Sequence, residues 1–224
     1  MRKLTHDEIS ENRSSLDSLH TVKKLPVIVL LNSIRSSYNV GSIFRTSDGA
    51  MIEKLILCGY TPHPPLPSNS NNTNVVISSE SASEKSYNQI NISDSSPQES
   101  REFGMTKQTG NKDVLKTALG STESVKWEYV KNPLEAIKEI KDKGIKICAL
   151  ELTENRKPYY DIKQNEFPLC LVVGNEITGV SQEILDLCDY SIEIPQYGIK
   201  QSLNVAVAYG IAIFELRKIF DKKA

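Results

Sequence analysis

Six short β-rich runs separated by helical patterns constrain this chain more than any other feature. The runs fall at 27–32, 54–58, 125–130, 145–151, 169–173 and 190–194. They are apolar almost throughout, as strands buried on both faces are, and the segments between them are long enough for crossover helices. Such an alternation predicts an α/β fold with a mostly parallel sheet flanked by helices. Ligands of these sheets lie beyond the carboxyl ends of the strands, so the loops that follow the strands are where function is sought.

The helix signals are local. Asn132-Pro133-Leu134-Glu135 offers an N-cap, a proline at the first helical position and a carboxylate in the first turn, and Gly144 closes the pattern after Ile137 and Ile140. Asn39 is placed to cap a helix on which Ile43 faces the core and Arg45 points from the next part of the turn. Ser181 precedes a short helix carrying Ile184, Leu185 and Cys188, and Ser202 precedes a long one reaching about Phe220.

One stretch breaks the pattern. Residues 68–112 hold 11 Ser and 7 Asn, with only 9 residues from the apolar and aromatic set. A segment so poor in apolar side chains cannot bury enough surface to offset its ordering entropy, which predicts a disordered surface insert. The N-x-S/T triplets at Asn71 and Asn91 fall in it and read as chance in an Asn/Ser tract. What remains is one domain over 26–220, interrupted by the insert and preceded by a polar extension at 1–25 with five basic and four acidic side chains.

Several function classes lose ground on composition. No apolar run approaches the ~20 residues that span a bilayer. The first residues, MRKLTHDEISENRSS, lack the apolar core of a secretory signal, so the expectation is a cytoplasmic protein. Cys58, Cys148, Cys170 and Cys188 are far apart and form no C-x-x-C pair, and His6, His20 and His63 have no ligand spacing. Reduced packing thiols and no metal are expected. With 27 Lys and Arg against 28 Asp and Glu, the net charge of −1 carries no global footprint for nucleic acid.

Three loops concentrate polar chemistry. The first, Asn32 to Thr46, packs hydrogen-bonding side chains at a strand's carboxyl end, although a capped helix with a solvated arginine explains it equally. The second, Gly174-Asn175-Glu176-Ile177-Thr178-Gly179-Val180-Ser181, comes close to a phosphate-binding G-x-x-x-x-G-K-[ST] loop. Val180 replaces the required lysine and Glu176 would repel a triphosphate, so nucleotide hydrolysis is rejected; a glycine connector with positive φ is the simpler reading. No G-x-G-x-x-G dinucleotide fingerprint is present. The third loop, Ile194-Pro195-Gln196-Tyr197-Gly198 through Ser202-Leu203-Asn204-Val205, opens an apolar helix whose small residues suit close packing or a subunit interface.

Taken in order, N-V-G-S-I-F-R-T, V-V-G-N-E-x-x-G-V and I-P-x-x-G-x-x-x-S-L-N-V resemble the three signature motifs of the SpoU/TrmH-type RNA ribose methyltransferases of the SPOUT class. The resemblance runs from about Pro26 to Leu216 and includes Cys58-Gly59-Tyr60-Thr61-Pro62-His63-Pro64-Pro65, Lys116 to Gly120 and Ala149 to Thr153. Gln196 stands where many members have methionine. The resemblance implies a carboxyl-terminal trefoil knot and S-adenosylmethionine held largely by backbone groups at Leu150, Glu151, Gly174, Glu176, Ile194, Gln196 and Leu203. It also implies attack of a ribose 2′-hydroxyl of tRNA or rRNA on the sulfonium methyl, served by Asn39, Arg45, Glu176, Ser202 and Asn204, in a homodimer. A guanidinium rarely yields a proton, so Arg45 is expected to clamp a phosphate and stabilise the alkoxide. A knotted paralogue that binds RNA without methylating it, and a small-molecule O-methyltransferase, are the alternatives.

Overall fold

The computed structural model describes residues 1–11, 13–65 and 111–222. Nearly all of the expected insert, including Asn71 and Asn91, therefore lies outside the described residues. Asn111 and Lys112, assigned to the insert by composition, belong to ordered structure: the Asn111 side chain caps helix Lys112–Ala118, accepting from Asp113 N at 2.8 Å.

Among the described residues, seven parallel strands form one sheet. In chain order they are β1 (Leu25–Asn32), β2 (Ile52–Cys58), β3 (Trp127–Val130), β4 (Lys146–Leu150), β5 (Arg156–Pro158), β6 (Leu169–Val173) and β7 (Tyr190–Glu193). Their spatial order is β3-β2-β1-β6-β4-β7-β5, and every pairing is parallel. After β5 closes one edge, the chain returns to place β6 at the centre, between β1 and β4. It then leaves again to put β7 outside β4.

Strand periodicity divides the core into two layers. Val27, Val29 and Leu31 of β1, with Leu169, Leu171 and Val173 of β6, face one side. Leu30, Cys170 and Val172 face the other. The first layer is covered by α2 (Ser37–Ala50), α3 (Lys112–Ala118), α4 (Ser121–Ser124) and α7 (Val205–Asp221), and the second by α5 (Pro133–Asp142) and α6 (Gln182–Leu185). The amino-terminal extension carries α1 (His6–Glu11) and a 3-10 turn, Leu16–Thr21. Its end is tied to α7 by Arg217 Nη1 donating to Lys23 O at 3.0 Å.

Two helix starts differ from expectation. Asn39 does not cap α2; Ser36 does, its hydroxyl accepting from Asn39 N at 3.4 Å, and Asn39 sits inside the first turn with its side chain free for other work. Ser202 does not open α7 either. Asn204 caps it, its Oδ1 accepting from Ala206 N at 2.9 Å and Val207 N at 3.3 Å. On α7 the buried side chains are Tyr209, Ala212, Ile213, Leu216 and Ile219, so the apolar residues left on the outside are Val207, Ile211 and Phe214. Spaced i, i+4 and i+7, they form a stripe.

Two buried hydroxyls lock α2 against α7: Ser47 Oγ and Tyr209 Oη are 2.7 Å apart. Cys58, Cys148 and Cys170 are buried and Cys188 is half-buried, all as free thiols. Burial raises the thiol pKa at each, at Cys188 to about 11. Among the described residues no group of three His, Cys, Asp or Glu side chains could hold a metal, and no helix is long and apolar enough to cross a membrane.

Candidate active site

Parallel strands β4, β6 and β7 end side by side, and their carboxyl ends open into a cleft. Leu150 and Glu151 come from the end of β4. Gly174 and Glu176 come from the loop after β6. Ile194, Gln196 and Leu203 come from the loop after β7, which also contributes Ser202. All seven residues expected to hold the cofactor line this one cleft. Its floor is apolar, made by Leu150, Val173, Ile192, Val205 and Ala208.

The loop after β6 is built from its own residues. Asn175 is 7% exposed; its Oδ1 accepts from Ile177 N at 2.8 Å and Thr178 N at 3.0 Å, while its Nδ2 donates to Ser33 O at 2.8 Å and Tyr60 Oη at 2.7 Å. Its backbone pairs with Gly179 in both directions, at 3.1 and 3.0 Å. Sequence reasoning passed over Asn175, though an asparagine directly after a strand-ending glycine is a known signal for side-chain-stabilised turns. Gly179 has φ +67°, the backbone region that glycine tolerates best. Gly174 does not have positive φ: a Cβ there would fall on the backbone of Gly179 and Val180. The turn itself therefore leaves no room for a side chain at Gly174.

Glu151 braces the same turn, with Oε1 accepting from Leu152 N and Oε2 from Val180 N, both at 2.9 Å. Glu176 reaches the other way. Its Oε2 accepts from Arg35 N at 2.8 Å, and its Oε1 from Ser36 N at 3.2 Å and Asn39 Nδ2 at 2.8 Å. Partial burial pushes its pKa up, but these bonds outweigh it and the net shift is downward. Asn39 Oδ1 in turn accepts from Asn204 Nδ2 at 3.2 Å. A chain Glu176–Asn39–Asn204 therefore couples the loop after β6, the first turn of α2 and the cap of α7.

Arg45 stands apart. It is exposed, lines a separate hollow with Arg13, Ser42 and Thr46, and has no hydrogen bond or ion pair among the described residues. The reason is helical: six residues after Asn39, it lies about 9 Å further along α2 and about 240° around its axis. Within one chain the structure brings together four of the five residues expected to serve catalysis, Glu176, Asn39, Asn204 and the cleft-lining Ser202, and leaves out Arg45.

The loop between β7 and α7 carries the site's unused backbone capacity. Residues 195–203 form no backbone–backbone hydrogen bond among the described residues. An adenine edge, which needs one donor and one acceptor against an apolar slot, fits main-chain groups left in this state. A sulfonium cation suits a cleft whose only ionisable lining groups among the described residues are Glu151, Glu176 and Glu193. The chemistry of the lining thus fits S-adenosylmethionine.

Comparison with known proteins gives the same direction. The signature of the SpoU rRNA methylase family matches residues 103–214, half of the chain. The tRNA (guanosine(18)-2′-O)-methyltransferase of Aquifex aeolicus is 40% identical over 104 residues, 46% of this chain and 49% of that protein. The 23S rRNA (guanosine(2553)-2′-O)-methyltransferase of Bacillus subtilis is 37% identical over 108 residues, 48% of this chain and 42% of that protein. The chain thus spans about half the length of the curated relatives it matches. Among solved structures, the A. aeolicus TrmH/SpoU tRNA modifying enzyme superposes with a TM-score of 0.62 at 26% identity, covering 91% of this chain and 81% of that one. An AdoMet-bound rRNA methyltransferase from Sinorhizobium meliloti shares the fold, with a TM-score of 0.61 at 22% identity over 88% of this chain and 60% of that one. A parallel sheet with this strand order, a cleft walled by three strand-end loops and a signature match over half its length identify the chain as a member of the SpoU rRNA methylase family.

Proposed function

We propose that this protein methylates a ribose 2′-hydroxyl in tRNA or rRNA, using S-adenosylmethionine. The observation that carries the reading is the meeting of seven cofactor-type positions and the Glu176–Asn39–Asn204 chain at one end of the sheet. The names of the two relatives, both guanosine 2′-O-methyltransferases, support it. The return of the chain to lay β6 between β1 and β4 supports the carboxyl-terminal trefoil knot that goes with it.

S-adenosylmethionine supplies an electrophilic methyl on a cationic sulfur. The protein's part is alignment and charge. Main-chain groups of 195–203 would hold the adenine end, and the carboxylates of Glu151, Glu176 and Glu193 would favour a cation in the cleft. Bound there, the group would give its methyl to the ribose 2′-oxygen with the neutral thioether as leaving group, and the hydroxyl proton would pass to solvent. Asn39 holds Glu176 in place throughout, while Ser202 and Asn204 set the ribose-facing rim.

Arg45 enters from a second copy. The stripe Val207, Ile211 and Phe214 on α7 is exposed beside α2, and Phe214 shares the hollow of Arg45. Pairing of two such faces in a cytoplasmic homodimer would bury the stripe and carry each Arg45 toward the partner's cleft, to clamp a phosphate of the RNA. Sedimentation should then give a dimer at micromolar concentration, and mixing Arg45→Ala with Asn39→Ala subunits should restore activity that neither has alone.

The reading is tested by tritiated methyl transfer from S-adenosylmethionine into bulk RNA against small hydroxylated acceptors. Incorporation into RNA alone is expected. Cofactor binding without transfer would leave a silent RNA-binding paralogue, and transfer to small acceptors would overturn the RNA assignment.

A further inference from the structure

The loop after β1 divides four successive backbone N–H groups between two partners. Ser33 N donates to Cys58 O at 3.1 Å and Ile34 N to Thr61 Oγ1 at 3.0 Å, at the end of β2 and just past it. Arg35 N and Ser36 N donate instead to the two carboxylate oxygens of Glu176. The peptide that turns from the first pair to the second therefore decides how well the second pair reaches the carboxylate. Its geometry is tight: Ser33 has φ +57°, a conformation rare outside glycine, and its side chain lies against Gly59, which has φ +63°.

Thr61 fixes this turn. It is 2% exposed, and its hydroxyl accepts from Ile34 N while donating to Leu31 O at 3.1 Å. One side chain thus closes the backbone from Leu31 to Ile34, two residues that are themselves fully buried. Solvent does not reach this point to stand in for the hydroxyl, so its removal would leave the Ile34 N–H buried without its partner. The residue before it works on the opposite loop. Tyr60 Oη accepts from Asn175 Nδ2 at 2.7 Å, and the same amide nitrogen donates to Ser33 O at 2.8 Å. Successive side chains, Tyr60 and Thr61, therefore reach from the end of β2 to the loop after β6 and to the loop after β1, the two loops that meet at Glu176.

We propose that Thr61 is a positioning residue for methyl transfer: through Ile34 it holds the loop after β1 so that the N–H groups of Arg35 and Ser36 fix the Glu176 carboxylate at the rim of the cofactor cleft. The proposal rests on the methyltransferase reading given above and extends that machinery to a residue that lines no part of the cleft. Transfer between a nucleophile and a methyl donor depends on alignment to a fraction of an ångström, and a supporting group that lets a loop drift is costly even where it touches no reacting atom. The Thr61 hydroxyl meets that requirement, being bonded on both sides to buried backbone.

The test compares three variants of the full chain. Thr61→Val keeps the size of the side chain and removes the hydroxyl, Thr61→Ser keeps the hydroxyl, and Tyr209→Phe removes a buried hydrogen bond near the other end of α2. The readouts are the amide proton shifts of Arg35 and Ser36 by NMR, S-adenosylmethionine affinity by calorimetry and kcat with bulk RNA. Thr61→Val is expected to move both amide signals upfield and to lower kcat by roughly ten- to a hundredfold, with cofactor affinity within about threefold of wild type. Thr61→Ser is expected to restore the signals and kcat, and Tyr209→Phe to lower the melting temperature with the two signals in place. Unmoved signals in Thr61→Val, or equal movement in Tyr209→Phe, would overturn the proposal. Should Thr61→Val fail to fold, Thr61→Cys, whose thiol is a weaker acceptor, is expected to move the same signals by a smaller amount, and a wild-type spectrum from it would overturn the proposal equally. The amide signals need no catalysis, which separates the two claims. Wild-type kcat in folded Thr61→Val removes the positioning role alone, and signals that move in a protein unable to methylate any RNA remove the methyltransferase reading while the hold of Thr61 on Glu176 stands.

Discussion

Asn39 Nδ2 lies 2.8 Å from Glu176 Oε1, joining residues 137 apart in sequence across the top of the sheet. With the backbone amides of Arg35 and Ser36 on the same carboxylate, this makes Glu176 an acceptor of three hydrogen bonds at the rim of the cleft. Replacing Asn39 by Ala removes one of them and should cost about 1 kcal/mol in stability. Asn39→Asp should be worse, because it sets a second carboxylate against Glu176. Methyl transfer should fall at least a hundredfold in both, and thermal unfolding should rank wild type above Asn39→Ala and Asn39→Asp lowest.

The same carboxylate sets a pH dependence. Its folded pKa lies below the ordinary value of 4.5, so the stabilisation it provides is present above about pH 4.5 and is lost as the pH falls through the lower folded value. Exposure to solvent keeps the effect local. Amide exchange or NMR shifts at Arg35, Ser36 and Asn39 should therefore be flat from pH 8 to pH 5 and change together below that. A transition near pH 6 to 7 would mean that another group titrates there.

Gly174→Ala should damage the protein despite its small size. The added Cβ meets the backbone of Gly179 and Val180, which cannot rotate away as a side chain would. A lower melting temperature and weaker S-adenosylmethionine binding by calorimetry are expected together. Weakened binding at unchanged stability would make the cofactor, and not the turn, the source of the constraint.

Tyr209→Phe should cost about 1–3 kcal/mol, because it leaves the fully buried Ser47 hydroxyl without its 2.7 Å partner. The double variant Tyr209→Phe, Ser47→Ala should recover part of that loss. Chemical denaturation of the two proteins measures the difference.

How much of this was legible in the sequence depends on the kind of signal. Strand β6 is the apolar run 169–173 itself, and α5 follows its Asn-Pro cap, because in both cases local chemistry and tertiary burial ask for the same residues. Strand β5 has no such signal: among the described residues Arg156-Lys157-Pro158 pairs only with β7 at the sheet's edge, and it carries no apolar pattern to betray it. The starts of α2 and α7 were misplaced by a few residues because each segment holds two good capping side chains, Ser36 and Asn39 in one, Ser202 and Asn204 in the other. Tertiary contacts decide which is used, and the choice of Ser36 is what releases Asn39 to reach Glu176. Cleft residues were legible as motif positions, while the separation of Arg45 from Asn39 appears only once α2 is known to be continuous helix from Ser37.

The central claim is that the methyl group ends on a ribose 2′-oxygen, and the position of label in RNA tests it most directly. RNA methylated by the protein with tritiated S-adenosylmethionine is hydrolysed in alkali, which cuts every linkage whose 2′-hydroxyl is free. Label is expected in alkali-resistant dinucleotides, and to be absent when Asn39→Ala protein is used. Label recovered in mononucleotides, on the bases, would contradict the account.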